Sequence, residues 1–278
     1  MQIGYRGSVN RWECDENDHL NVRFYVQKHW QAACCGLQAM GLEVEANPQV
    51  QHIRFLAESR IATPLTGFWG IVENPSGEGC VLVTELRHSF TDECMSAALH
   101  QLPLPGVMAT DTLSESAVPR GIEPRDFDFV RIPYSDLPDH GLTLIGCGVV
   151  GEEETTADQY LVLHQYMGRL SDSMPHLWGA LASAGAGLPV GQGGAVLEYR
   201  LRYHKPLKLG DRFEVWSGVA ESQPKVQRFA HLMLDPIDGH LIASAEAIGV
   251  RMDLHARKAV TLSEEQQRAL QSKLIRLP

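Results

Sequence analysis

The sequence lacks the features that mark several specialised protein classes. Its six cysteines are scattered without a Cys-x-x-Cys pair, which argues against a zinc ribbon and a redox dithiol. No apolar run reaches the roughly 18 residues of a membrane span, and residues 1–10 have no apolar core. No Lys/Arg-rich tract offsets the net charge of −10. We therefore expect a cytoplasmic protein without membrane insertion and without a nucleic-acid partner.

The length and composition are those of a folded protein with two domains. The chain has 278 residues, of which 44% are hydrophobic and 21% charged, so disorder is not indicated. At roughly 100 to 200 residues per domain, this length predicts two domains. Six prolines between Pro103 and Pro138 break helices and central strands alike. They predict a linker over residues 103–140, between an N-terminal domain (1–102) and a C-terminal domain (141–278).

The N-terminal domain shows one helical pattern followed by strand patterns. Apolar residues recur at steps of three or four from Val22 to Met40, which predicts a long helix with one buried face. Runs rich in β-branched, aromatic and apolar residues then predict an antiparallel meander. These runs cover residues 51–61, 68–72, 80–90 and 95–102.

The same order of elements returns in the C-terminal domain. A second helical pattern covers residues 160–181, and strand patterns precede and follow it. Tyr25 aligns with Tyr166 at an offset of 141 (166 − 25), and Pro64 aligns with Pro206 at an offset of 142 (206 − 64). The two offsets predict an internal repeat of about 140 residues. A capping box at Ser263 predicts a further, terminal helix.

Polar residues with a regular spacing precede the first helix. Asp15, Asn17, His19 and Asn21 alternate, and Tyr25 stands one turn further on. The pattern resembles the D-x-x-G-H-x-N-x-x-x-Y segment of the 4-hydroxybenzoyl-CoA thioesterase group, and more closely the D-x-N-x-H-x-N of plant acyl-carrier-protein thioesterases. The resemblance implies an α+β double hotdog, in which two long helices pack on a continuous curved antiparallel β-sheet.

The resemblance also implies a set of site residues. Asp15, Asn17 and His19 match catalytic positions of the family, and Glu58-Ser59 stands near the place of a Glu-Cys pair in the plant enzymes. The implied catalytic residues are Asp15, Asn17, His19 and Glu58, and the implied substrate-binding residues are Asn21, Arg23, Tyr25 and Ser59. In the plant enzymes the motif lies in the C-terminal hotdog, whereas here it is N-terminal.

Thioester chemistry is consistent with these residue types. Hydrolysis needs a carboxylate that attacks the carbonyl or deprotonates a water, and Asp15 supplies one as nucleophile or general base. The developing oxyanion needs donors, and backbone N–H groups from Asn21 to Arg23 at the helix start are candidates. The same residues also suit a simpler role, because Asp and Asn are ordinary N-capping residues.

The second domain lacks this set. An offset of 141 places Thr156 opposite Asp15, Asp158 opposite Asn17, Tyr160 opposite His19 and Val162 opposite Asn21, and an offset of 142 places Arg200 opposite Glu58. We therefore expect one working site, in the first domain, and a degenerate site in the second.

The predicted function is hydrolysis of an acyl thioester of fatty acid metabolism, carried by CoA or by acyl-carrier protein. The alternatives are a hotdog 3-hydroxyacyl or enoyl thioester hydratase or dehydratase, and a non-catalytic acyl-thioester-binding module. Hydratases pair Asp with His at a separation of five with an intervening proline, whereas Asp15 and His19 are four apart (19 − 15) without proline. No metal or other cofactor is predicted, and association of such pseudo-dimeric chains into a homo-oligomer is left open.

Overall fold

The chain folds into two compact units, Met1–Arg125 and Asp126–Pro278. The computed structural model describes residues 1–42, 48–75, 77, 79–104, 106–123 and 131–277. Each unit has a long helix packed against an antiparallel sheet, so the predicted α+β class is confirmed. Within the described ranges, no helix is long and apolar enough to cross a membrane.

The first unit has one helix and five strands. Helix α1 covers Val22–Ala39, close to the predicted bounds. The strands are β1 (Gln2–Ser8), β2 (Val50–Phe55), β3 (Pro64–Glu73), β4 (Cys80–His88) and β5 (Cys94–Gln101). Their order in the sheet is β1-β3-β4-β5-β2. The predicted four-stranded meander is therefore wrong in one respect: β3 to β5 form a meander, but β2 pairs with β5 and not with β3.

Both faces of this sheet are covered. On one face, Ala33 and Leu37 of α1 pack against Trp69 and Leu82. On the other face, Ala117 packs against residues of β4 and β5. Residues 106–123 of the proline-rich segment are thus part of the packing of the first unit.

The side chain of Arg54 holds this covering segment in place. Its guanidinium donates hydrogen bonds to the carbonyl groups of Glu115, Ser116 and Val118, at 2.8, 3.0 and 3.1 Å. One nitrogen of this buried cation, Nη1, makes all three contacts and fixes the path of a segment that has no regular secondary structure.

The second unit repeats this layout with two additions. Helix α2 covers Leu163–Leu181, and the predicted terminal helix is confirmed as α3 (Glu264–Gln271), whose N-cap hydroxyl on Ser263 accepts from the amide of Gln266. The strands are β6 (Thr143–Val149), β7 (Gln192–Tyr203), β8 (Arg212–Ser222), β9 (Val226–Leu234), β10 (Leu241–Asp253) and β11 (Lys258–Ala259). Their order is β7-β10-β9-β8-β6, and β11 pairs with β10.

The two units are equivalent at two different offsets. Tyr25 and Tyr166 each make an edge-on contact with an aromatic ring, Phe55 and Tyr203 respectively. The two tyrosines of the helices, Tyr25 and Tyr166, are 141 residues apart (166 − 25). The two rings that they contact, Phe55 and Tyr203, are 148 apart (203 − 55). The second unit therefore has seven additional residues (148 − 141) between the tyrosine and the ring that it contacts.

The offset of 148 corrects the predicted alignment of Pro64 with Pro206. His19 forms a β-bridge with Arg60, and Tyr160 forms the same bridge with Lys208, again at an offset of 148 (208 − 60). The counterpart of Glu58 is therefore Pro206 (58 + 148) and not Arg200, because the earlier offset ignored the longer connection after the helix. The conclusion that the second unit has no carboxylate at this place still holds.

Candidate active site

A tight loop before α1 carries the predicted motif. A β-bridge between Cys14 and Leu20 closes the loop, and the amide of Asp15 donates to the carbonyl of His19 at 2.8 Å. Asp18 has a φ of 58°, the left-handed conformation that lets the chain reverse here. The amide of Leu20 donates to the carbonyl of Ser59 at 2.8 Å and so fixes the loop to the segment after β2.

The carboxylate of Asp15 shapes this loop. Its Oδ1 accepts hydrogen bonds from the amides of Asn17 and His19, at 2.8 and 3.1 Å. In the second unit the hydroxyl of Thr156 accepts from the amide of Tyr160 at 3.3 Å in the same position. The capping bond is therefore a property of the loop in both units, and the charge of Asp15 is what distinguishes the first.

The loop brings His19 next to Glu58. The imidazole Nε2 lies 3.3 Å from Oε2 of Glu58, and the two side chains are 13% and 39% exposed. A guanidinium nitrogen of Arg60 lies 4.0 Å from the same carboxylate oxygen. Two predicted catalytic residues thus form a partly solvated imidazole and carboxylate pair, which can take a proton from a water molecule and return it.

The end of β2 positions Glu58 outside the sheet. The amides of Leu56 and Ala57 both donate to the carbonyl of Met95, at 2.9 and 3.1 Å, so a bulge ends the strand. The predicted strand over residues 51–61 therefore stops at Phe55.

The hydroxyl of Tyr25 holds the segment that follows the bulge. It donates to the carbonyl of Ala57 at 3.3 Å and accepts from the amide of Ser59 at 3.1 Å, on either side of Glu58. Burial raises the pKa of Tyr25, which keeps this phenol protonated. The hydroxyl of Tyr166 accepts from the amide of Leu207 at 3.0 Å in the second unit. This bond belongs to the fold of both units, although substrate binding was expected of Tyr25.

The start of α1 offers fewer free amides than expected. The side chain of Asn21 caps the helix by accepting from the amide of Arg23 at 2.9 Å, and the amide of Asn21 itself donates to the carbonyl of Glu13 at 2.9 Å. Of the amides expected as oxyanion donors, only that of Val22 has no acceptor among the described residues. The guanidinium of Arg23 lies over the ring of Phe24, 4.9 Å from its centroid.

A buried ion pair below the loop was not predicted. The ammonium group of Lys28 lies 2.6 Å from Oε1 of Glu13, and the side chains are only 5% and 7% exposed. Glu154 and Arg169 form the equivalent pair in the second unit. Both members of the pair recur at an offset of 141 (154 − 13 and 169 − 28), a signal in the sequence that could have revealed it.

A buried polar network under α1 was also not predicted. His29 contacts the hydroxyls of Thr84 and Ser96 at 2.7 and 2.8 Å, and Thr84 also contacts His100 at 2.9 Å. Burial lowers the pKa of His100 to about 3 and lowers the pKa of His29 well below its usual value. Both imidazoles are therefore neutral and act as hydrogen-bonding groups of the core. In the part of the chain that the structure describes, no three metal-ligating side chains converge.

Part of the chain matches the model of a known family. A family model described as the Thioesterase-like superfamily matches residues 157–270. The matched residues lie in the second unit, whereas His19 and Glu58 lie in the first. No match to the sequence was found among curated proteins.

Solved thioesterases share the fold of nearly the whole chain. A 12:0-ACP thioesterase from Umbellularia californica has a TM-score of 0.64 at 10% identity, covering 89% of this chain and 93% of that one. A protein described as an oleoyl thioesterase from Lactobacillus plantarum has a TM-score of 0.63 at 14% identity, covering 94% and 96%. An acyl-ACP thioesterase from Bacteroides thetaiotaomicron has a TM-score of 0.62 at 12% identity, covering 89% and 97%. The predicted double hotdog fold is confirmed.

Proposed function

We propose that this chain hydrolyses acyl thioesters at a single site in its first unit, built from His19, Glu58, Asp15 and Asn17. The observation that carries the proposal is the contact of 3.3 Å between the imidazole of His19 and the carboxylate of Glu58. The second unit keeps the loop but has Tyr160 and Pro206 at these two positions. The groups able to transfer a proton are thus concentrated in one of two otherwise equivalent places.

The proposed reaction uses water as the nucleophile. The pair of His19 and Glu58 takes a proton from a water molecule as its oxygen attacks the thioester carbonyl. The same proton passes to the sulfur when the C–S bond breaks, which releases the free thiol and the carboxylic acid. The amide of Val22 at the positive end of the α1 dipole supplies a donor for the oxyanion.

Asp15 and Asn17 complete the proposed site. Oδ1 of Asp15 accepts from the amide of His19 and so holds the loop that carries the imidazole. We assign to the negative charge of Asp15 the stabilisation of the imidazolium that forms when His19 takes the proton. A direct attack by the Asp15 carboxylate is the competing role for this residue, and it would leave a covalent anhydride that water must then cleave. The half-buried amide side chain of Asn17 is a candidate donor to the substrate carbonyl.

The proposed substrates are acyl groups carried by CoA or by acyl-carrier protein. The names of the structurally similar thioesterases from Umbellularia californica and Lactobacillus plantarum support the acyl thioester class. Because the shared fold does not distinguish the carriers, both belong in the assay.

A thiol-release assay tests the proposal. The purified protein is incubated with acyl-CoA and acyl-carrier-protein thioesters over a range of chain lengths, and free thiol is measured. We expect release with at least one substrate, and a loss of about a hundredfold in kcat for His19→Gln. The matched variant Tyr160→Phe in the second unit is expected to keep full activity.

Three outcomes would contradict the proposal. An unchanged kcat for His19→Gln would show that the proposed pair takes no part in the hydrolysis. With an enoyl-CoA as an additional substrate, loss of the enoyl absorbance without thiol release would indicate a hydratase. Binding of acyl thioesters without turnover would indicate an acyl-thioester-binding module.

A further inference from the structure

We propose that Glu13 and Lys28 are positioning residues for the site of His19 and Glu58. The inference rests on the proposed function, since it assigns a catalytic consequence to an ion pair that touches neither the substrate nor the reacting atoms. The pair lies below the loop in the core of the first unit.

Glu13 binds the chain on both sides of the catalytic loop. Its Oε2 accepts from the amide and from the side-chain nitrogen of Asn10, at 2.8 and 3.2 Å. Its backbone carbonyl accepts from the amide of Asn21 at 2.9 Å, directly after the loop ends. The segment from Cys14 to Leu20 is therefore held at both ends by one residue.

Lys28 connects this residue to the helix. Its ammonium group lies 2.6 Å from Oε1 of Glu13 and 5.4 Å from the centroid of the Tyr5 ring. Both charges are almost fully buried, so the pair has little freedom to rearrange and solvent cannot replace either partner. The loop is consequently held at a fixed distance from the second turn of α1.

The ion pair and the hydrogen bonds of Glu13 together form a frame that holds the loop, and the position of His19 depends on this frame. Its backbone is fixed to Asp15 by two hydrogen bonds, and its side chain must reach a carboxylate that is held separately, by the hydroxyl of Tyr25. A displacement of about 1 Å of a catalytic group can cost about a hundredfold in rate. Loss of the ion pair is therefore expected to lower kcat and to leave KM nearly unchanged.

The second unit supplies a matched control. Glu154 pairs with Arg169, its Oε2 accepts from the amide of Gly151 at 3.2 Å, and its carbonyl accepts from the amide of Val162 at 2.9 Å. The same frame thus holds a loop that carries Tyr160 in place of His19. Because an arginine serves in this frame, Lys28→Arg is expected to preserve the pair.

The first experiment compares Lys28→Met, Lys28→Arg and Arg169→Met by steady-state kinetics, well below their melting temperatures. Both methionine variants are expected to lower the melting temperature, Lys28→Met by more because Lys28 is more buried. We expect kcat to fall at least about tenfold for Lys28→Met, with KM within about twofold. Lys28→Arg and Arg169→Met are expected to keep kcat within about threefold of the parent protein. An equal loss of kcat in Lys28→Met and Arg169→Met would overturn the inference.

The second experiment is independent of turnover. The ring resonances of His19 are assigned by comparison with His19→Gln, and the effect of Glu58→Gln on them is measured in three backgrounds. In the parent protein and in Arg169→Met, we expect Glu58→Gln to shift these resonances. In Lys28→Met we expect a clearly smaller shift, because the imidazole no longer faces residue 58.

Failure of the inference and failure of the proposed function give different results. An undiminished shift in Lys28→Met overturns the positioning role, whatever the protein hydrolyses. A parent protein without thiol release contradicts the proposed function alone.

A double substitution covers the case in which Lys28→Met does not fold. Glu13→Gln with Lys28→Leu removes both charges, and paired replacement of a buried ion pair is tolerated better than removal of one partner. It still cuts the connection to α1, so we expect the loss of kcat to persist. The matched double substitution, Glu154→Gln with Arg169→Leu, is expected to keep kcat, and an equal loss in both would overturn the inference.

Discussion

The imidazole of His19 and the carboxylate of Glu58 lie 3.3 Å apart, although 39 positions (58 − 19) separate them in the sequence. Two independent elements produce this contact. The loop before α1 carries His19, and the bulge at the end of β2 presents Glu58. The second unit has the same loop and a matching bulge, at which the amides of His204 and Lys205 donate to one carbonyl, but not the same side chains.

Substitution of Glu58 by glutamine is expected to lower kcat about a hundredfold, because the amide cannot take the proton. Thiol release by Glu58→Gln, compared with the parent protein, measures this. Glu16→Gln is the matched control, since Glu16 is an exposed carboxylate on the same loop. Equal rates for Glu58→Gln and Glu16→Gln would show that Glu58 takes no part in the chemistry.

Asp15 can be replaced without rebuilding its loop. Asp15→Asn retains an oxygen that accepts from the amides of Asn17 and His19, and Asp15→Thr introduces the residue that caps the equivalent loop at Thr156. We expect both variants to fold normally and to lose about a hundredfold or more in kcat. Thr156→Ala is expected to be close to neutral for turnover. Full activity in Asp15→Asn would exclude the carboxylate both as nucleophile and as stabiliser of the imidazole.

Removal of one phenolic hydroxyl separates stability from catalysis. Tyr25→Phe and Tyr166→Phe each leave a backbone amide without its acceptor, which costs about 1 to 3 kcal/mol of unfolding free energy. Only Tyr25→Phe is expected to lower kcat, because its hydroxyl holds the backbone on both sides of Glu58. Urea unfolding and thiol release on the two variants check this. A comparable loss of kcat in Tyr166→Phe would mean that general loosening is responsible.

The elements that local patterns determine were predictable from the sequence. The apolar spacing of α1 and the capping box at Ser263 predicted helices that the structure contains. These signals are local, because a helix satisfies its backbone within a few residues. The same holds for the loop motif, whose spacing indicated a special helix start.

The features that depend on distant contacts were not predictable. The pairing of β2 with β5 is set by the whole sheet. The alignment of Pro64 with Pro206 was wrong because a chance match of two prolines concealed six extra residues (148 − 142). The contact between His19 and Glu58 could be suspected only through resemblance to a family. The pair of Glu13 and Lys28 lies outside every motif, although its recurrence in the second unit was visible.

The buried histidines predict a loss of stability in acid. The pKa of His100 is lowered to about 3 and that of His29 well below 6.5, so the folded unit keeps both rings neutral. The unfolded chain binds these protons below about pH 6.5, and each histidine then lowers the unfolding free energy by about 1.4 kcal/mol per pH unit. The contribution is complete above pH 6.5 and is lost as the pH falls toward 3.

Urea unfolding between pH 7.5 and 4.5 measures this dependence. His29→Leu, which introduces the residue found at Leu170 in the second unit, is expected to be less stable than the parent at pH 7 but to have a shallower slope. A slope equal to that of the parent protein would show that His29 does not contribute to the acid sensitivity.

The shared hydrogen bonds of the two loops also make the second unit a host for grafting. In its loop, Gln159 already has the left-handed backbone conformation and the hydroxyl of Thr156 already accepts the capping bond. The phenol of Tyr166 in α2 already holds the facing segment. Four changes of side chain, Thr156→Asp, Asp158→Asn, Tyr160→His and Pro206→Glu, would recreate the side chains of the proposed site on an unaltered backbone. A protein engineer could therefore install a second reaction centre, or move the proposed site from the first unit to the second, without redesigning any secondary structure.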